Sequence, residues 1–251
     1  MLLLSSLLLF LSALVGGLAV LAKPKLHQGP FQYGLIFSGG YLFSLTVLHL
    51  LPTLFTLPVA AQHIGLYLLV GFFLQQLLEL LSKGVEHGHV DFTPGHVPSI
   101  RPLTLLLSLC CHALLDGAIL GCPTAPALHQ HTHTLGGAGL LLGILLHKVP
   151  VAFAFTSILH QLVGAQRTVL VYLLVFALAS PVGLWGSHYC GLLLGGAAQG
   201  SAVLGAIVSG SFLHIATTIF FEARPGHQLH ARQFLASLAG AGLAVLAEFL
   251  L

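Results

Sequence analysis

Three side chains in this 251-residue chain have the types and spacing to bind a metal ion. His112 and Asp116 stand at i and i+4, so a helix puts them on one face. His147 lies in the next apolar run, followed by Lys148 and Pro150. Neutral imidazole and carboxylate are standard ligands for zinc and its neighbours. Pro150 has no N–H, so the carbonyl of Leu146 loses its helical partner and is able to face a cavity. Blander readings stand beside this one. A lone histidine in an apolar helix is often a helix–helix hydrogen bond, and Lys148 can be the counter-ion of Asp116.

The elements that hold these residues are long apolar runs. The chain is 57% hydrophobic and 6% charged, where a soluble domain carries roughly 25% charged residues. Too few polar groups exist to cover a water-facing globule. A bilayer is the natural solvent, and a backbone in lipid must satisfy its own hydrogen bonds, which selects helices. With about 20 apolar residues per crossing, eight spans are predicted: 2–22, 31–56, 59–82, 102–122, 135–160, 168–188, 197–221 and 232–251. The expected fold is all-α, one polytopic transmembrane domain over 1–251. The first run could be read as a secretory signal ending at Val20-Leu21-Ala22. No basic residue precedes it and it is long for such a segment, so it is taken as a retained span.

Depth makes the histidines informative. His112 lies about ten residues from either end of span 4, and His147 about twelve from either end of span 5. Both imidazoles therefore reach the bilayer midplane with Asp116, where ionisable groups are costly and mark functional sites.

Charge fixes the orientation. Of the 8 Lys and Arg residues, all but Lys148 fall in the loops after odd-numbered spans: Lys23, Lys25, Lys83, Arg101, Arg167, Arg224 and Arg232. The positive-inside rule makes those loops cytoplasmic and both termini extracytoplasmic. The pI near 8.4 reflects these loops and does not point to nucleic acid.

Other polar residues could extend a path from the core. His49 lies near the outer end of span 2, and His214 and Glu222 lie toward the inner end of span 7. Glu79 is read as an interfacial carboxylate that snorkels. Six of the 16 histidines are candidates for loose metal capture in loops: His87, His89 and His96 inside, and His129, His131 and His133 outside. Cys110 and Cys111 read as small hydrophobes in span 4. Cys122 and Cys190 both fall near outer span ends, where free thiols are the simpler reading than a disulfide.

At these residues the chain resembles the ZIP (Zrt/Irt-like) family of divalent-metal transporters. His112-x-x-x-Asp116-Gly117 resembles the family's span-four motif, and His147-Lys148-x-Pro150 its span-five motif. Gly210-Ser211-Phe212-Leu213-His214, His49-Leu50-Leu51-Pro52 and Ser180-Pro181-Val182-Gly183 resemble stretches of spans 7, 2 and 6. The likeness is greatest to the branch with His-Lys in span 5. Many members hold two metals between acids in spans 4, 5 and 6. Here Val151 and Ser180 stand where two of those acids would be, and Lys148 occupies a position that can bind the second metal. The resemblance thus implies a single metal on His112, Asp116 and His147, with Lys148 balancing charge.

The function expected is transport of a divalent cation, zinc first, toward the cytoplasm. The chain is read as no enzyme, with zinc as cargo rather than cofactor. Its partners are the cation and the lipid bilayer of a plasma or inner membrane. Small residues such as Gly191, Gly195 and Gly196 would permit a homodimer. A membrane-embedded metallohydrolase is the alternative, but there is no HExxH and no acid placed as general base. The topology is directly testable. Cysteines introduced at Gln62 and Thr132 should react with an impermeant reagent from outside, and those at Ser99 and Gln228 only after permeabilisation. The opposite pattern would reverse the orientation.

Overall fold

The computed structural model describes residues 2–22, 29–85, 100–122, 136–193, 198–222 and 231–249. Eight helical spans cross one bundle, and no strand occurs among the described residues. Span 1 is Leu2–Ala22, span 3 Ala61–Ser82 and span 4 Pro102–Gly121. Span 5 is Gly136–Val163, span 6 Gln166–Leu193, span 7 Ala198–Glu222 and span 8 Ala231–Phe249. Span 2 runs through three joined pieces, Gly29–Leu45, Thr46–Leu50 and Leu51–Thr56. Seven spans are long and apolar enough to cross a bilayer. Span 8 has 19 residues and is more polar, with Arg232, Gln233 and Glu248 in it.

The middle piece of span 2 is a π-helical turn, closed by the Leu51 N–H on the Thr46 carbonyl. Pro52 lies one residue later and cannot donate to the Leu48 carbonyl. The Thr53 hydroxyl donates instead to the His49 carbonyl at 2.7 Å. The wider turn absorbs the missing bond, a device often found at functional sites. Span 3 ends by a different means: Lys83 takes a left-handed conformation at φ 53, and the next residue is Gly84.

Contacts between spans show which way each one runs. Spans 4 and 6 meet where the Ser180 hydroxyl donates to the Ala113 carbonyl and the Ser187 hydroxyl to the Ala118 carbonyl, so their numbers rise together. Spans 3 and 7 meet at Gln75–Ser211 and at Glu79–His214. Spans 2 and 8 meet at Gly40–Ser237 and His49–Glu248. All three pairs are parallel. Spans 2 and 5 are antiparallel, since Phe31 stacks on Phe153 while the Tyr41 hydroxyl reaches the Gly139 carbonyl. Even-numbered spans therefore run one way and odd-numbered ones the other, as eight alternate crossings require. Lys83, Arg101, Arg167 and Arg232 stand at ends of odd spans or starts of even ones, which puts them at one face of the bundle.

The four parallel contacts share a cause. A methyl on Gly117 would collide with the Ser180 carbonyl, and one on Gly183 with the Leu114 carbonyl. Gly71 and Gly210 do the same for spans 3 and 7, Gly40 and Gly240 for spans 2 and 8, and Gly16 for span 1 against the Val149 carbonyl of span 5. In lipid no hydrophobic force drives helices together, so backbone approach and dispersion must do it. The most extensive packing joins spans 4 with 6, 2 with 8, 3 with 7 and 1 with 5, and span 1 also packs on span 6. Spans 1, 4, 5 and 6 thus form one group and spans 2, 3, 7 and 8 another. Spans 2 and 5 supply the broadest contact across the seam between them.

Pro150 sits inside span 5 without ending it. With Leu146 it lines an apolar crevice of about 490 Å³ that also touches Ser12 of span 1 and Phe31 and Gly34 of span 2. No disulfide joins Cys122 to Cys190. The glycine contacts can be tested on the folded protein. Gly117→Ala should cost about 1–3 kcal/mol by overpacking and lower the melting temperature. Gly65→Ala, where a methyl meets nothing within 4 Å, should be neutral or stabilising in the same melt.

Candidate metal centre

The core site is assembled by the group of spans 1, 4, 5 and 6. His112, Asp116, His147 and Lys148 are all buried. The helical turn of span 4 brings the His112 Nε2 to 3.4 Å from the Asp116 Oδ2. Two ligands on one tetrahedral zinc, each about 2.1 Å from it, stand about 3.4 Å apart. The pair therefore has the spacing of two corners of a zinc tetrahedron. His147 comes close without completing it. Its ring stands at 88° to that of His112 with centroids 6.0 Å apart, where two imidazoles on one tetrahedral metal would have centroids about 5 Å apart. Among the described residues, no three His, Cys, Asp or Glu side chains converge tightly enough to hold a metal. The first pair thus has the spacing of two zinc ligands, and the His147 ring stands about 1 Å farther from that of His112 than a shared metal would set it.

Lys148 has a nearer partner than Asp116. No hydrogen bond or ion pair joins the two. The Lys148 Nζ donates to the Ser180 hydroxyl at 2.6 Å, and that hydroxyl donates onward to the Ala113 carbonyl at 2.7 Å. The ammonium also lies 4.6 Å from the centre of the Phe176 ring, a cation–π contact that gains strength when desolvated. The physical reason is the close approach of spans 4 and 6, whose glycines bring Ser180 up against the backbone of span 4 within reach of the lysine. Val151, in the position where the resemblance would set an acid, is buried in the apolar core.

Two further polar pairs lie away from the centre. The His49 Nδ1 is 3.1 Å from the Glu248 Oε1, tying the π turn of span 2 to span 8 at the face opposite the basic residues. Toward the basic face, the His214 Nε2 meets the Glu79 Oε2 at 2.5 Å. This corrects the reading of Glu79 as a snorkelling carboxylate: it turns inward to span 7. The Ser211 hydroxyl donates to the Gln75 Oε1 one turn away, at 2.9 Å. Phe72 packs edge-on to the His214 ring at 4.8 Å.

Glu222 is the last residue of span 7, and nothing further is described of its side chain. The loop histidines His87, His89, His96, His129, His131 and His133 lie outside the described residues. Sequence reasoning missed Glu248, Gln75 and Ser38. Glu248 carried a readable signal: it is the one acid of the last span, at the same end as His49. Gln75 stands one turn before Glu79 and was equally visible. Ser38, whose Oγ is 3.5 Å from the His147 Nδ1, gave none, since serine is common in apolar helices.

With this arrangement in view, the relatives can be placed. The chain is 32% identical over 162 residues to zinc transporter ZIP9 of Xenopus tropicalis, covering 62% of this chain and 50% of that protein. It is 33% identical over 147 residues to zinc transporter ZIP2 of Homo sapiens, covering 56% of this chain and 42% of that protein. Zinc transporter ZIP1 of Danio rerio matches over 160 residues at 29% identity, 61% of this chain and 46% of that protein. All three relatives are named ZIP zinc transporters, and this chain is similar to them over part of its length. No protein-family profile matches it. The chain spans half or less of the length of the curated relatives it matches.

The inner pair yields a stability test. Removing one partner of a buried charged pair leaves the other unsatisfied. Glu79→Ala should therefore lower the melting temperature clearly, whereas Glu79→Gln, which keeps an acceptor for His214, should lower it less. Equal melting temperatures for both variants and the wild type would show that the pair contributes nothing.

Proposed function

We propose that this chain is a member of the ZIP family and carries a divalent cation, zinc first, across the membrane toward the face that bears the basic loop residues. The supporting observation is the 3.4 Å spacing of the His112 Nε2 and Asp116 Oδ2, buried at mid-span in a chain similar to proteins named zinc transporters. His112 and Asp116 hold the metal first, and His147 closes on it with a shift of about 1 Å. Zinc makes no strong geometric demand, which suits a site that changes shape during turnover.

The polar pairs at either end suit a path. His49 with Glu248 would meet the ion near the outer face, and His214 with Glu79 would receive it toward the cytoplasm, with Glu222 and the loop histidines beyond. Neither a general base nor an open catalytic position accompanies the core ligands, so hydrolysis has no comparable support. Both termini are outward in this reading, and the membrane is a plasma or inner membrane.

The core binds one metal, not two. Lys148, held by Ser180 and Phe176, fills the space of a second ion with a fixed positive charge. An ammonium about 4 Å from a divalent cation costs several kcal/mol even at an effective dielectric near 20. This belongs with the branch of the family that has His-Lys in span 5.

Zinc flux into liposomes containing the purified chain is the direct test. Changing a second-shell partner already costs about 10–100-fold at metal sites, so His112→Ala or Asp116→Ala should reduce flux at least tenfold, with Asp116→Asn close behind. Zinc bound at saturation should give one peak in anomalous scattering at the core. Absence of flux in the wild type would overturn the transporter reading, and unchanged flux in both His112→Ala and His147→Ala would make these histidines packing residues. Two peaks about 4 Å apart would defeat the single-metal claim.

A further inference from the structure

We propose that Ser38 is a positioning residue for His147, setting the imidazole with its proton on Nδ1 and its lone pair on Nε2. This rests on the metal-transport reading of the core site. Ser38 is fully buried in span 2, outside the group of spans that carries His112, Asp116 and His147. A hydroxyl has one proton to give, and that of Ser38 goes to the Leu35 carbonyl at 2.8 Å. The same Oγ lies 3.5 Å from the His147 Nδ1. With its proton committed, Oγ offers only lone pairs to the ring. An Nδ1 that also offered a lone pair would meet it repulsively, so Nδ1 carries the hydrogen and donates.

A neutral imidazole has a single N–H. Fixing it on Nδ1 leaves Nε2 as the nitrogen able to take a metal, the same logic by which a carbonyl or carboxylate behind a ligand histidine sets its tautomer elsewhere. At 3.5 Å the contact is longer than the roughly 2.7–3.2 Å of a settled N–H···O hydrogen bond, which suits a side chain that must still shift to complete the site. Ser38 also couples the ligand to the seam. Spans 2 and 5 form the broad contact between the two helix groups, so the orientation of His147 depends on how those groups sit against each other.

The test uses the full chain in nanodiscs, with imidazole-¹⁵N-labelled histidine and equilibrium binding of Zn²⁺ as separate readouts. Metal-free wild type should show the His147 signal, assigned by its loss in His147→Ala, with Nδ1 protonated. Ser38→Ala should move that signal toward the other tautomer and weaken zinc binding about tenfold. Ser38→Thr, which keeps the hydroxyl, should restore both. If Ser38→Ala does not fold, Ser38→Cys, similar in bulk and a poor acceptor, takes its place with the same expectation. Wild-type signal and affinity in the acceptor-deficient variant would overturn the proposal alone, provided His147→Ala has lost affinity. Wild-type affinity in His147→Ala would overturn the core-site reading and the proposal with it. A wild-type signal with Nε2 protonated would overturn the assignment of Ser38 directly.

Discussion

The bundle depends on helix backbones touching where side chains are missing. At Gly117 and Gly183 the backbones of spans 4 and 6 come so close that any Cβ would strike a carbonyl oxygen. Such contacts replace the hydrophobic effect, which is nearly absent between helices in lipid, with dispersion and weak Cα–H···O interactions. They also decide the chemistry. Because spans 4 and 6 are this close, the Ser180 hydroxyl reaches the Ala113 carbonyl, and the same oxygen is then available to Lys148. A wider spacing would leave the ammonium with no acceptor on span 6, and Asp116 would be the nearest anion for it to seek. The glycines therefore give the lysine a partner other than Asp116.

Much of this was legible in the sequence, for identifiable reasons. The long helices follow from apolar length, and seven of them are long and apolar enough to cross a membrane. His112 and Asp116 were legible because an i, i+4 relation is fixed by the helix itself. His147 was legible by depth. What sequence could not supply was the partner of each polar group across the bundle. Glu79 is one turn from a span end, and position alone suggests snorkelling, whereas the choice between lipid headgroup and His214 depends on the rotation of spans 3 and 7. That rotation is set by Gly71 and Gly210, whose role is invisible without the neighbouring carbonyl. The acceptor of Lys148 was out of reach for the same reason: the Ser180 hydroxyl that takes its hydrogen bond is set by how spans 4 and 6 meet.

On the transport reading proposed above, the charge of the core bears on how the site releases its cargo. An ionised Asp116 and an ammonium Lys148 sum to zero, so the centre without a metal is balanced although the two groups make no ion pair. Adding one divalent cation to two neutral imidazoles and one carboxylate leaves the centre with a net positive charge, shared with the lysine nearby. A closed structural zinc site avoids this with several thiolates or with four protein ligands. A site that must let its ion go benefits from the opposite, because binding has to be favourable enough to admit the ion and weak enough to free it. On the transporter reading, Lys148 then has two effects from a single position. It excludes a second metal, and it keeps the first from binding too tightly, while Ser180 and Phe176 hold its charge in a place where neither effect requires it to contact Asp116.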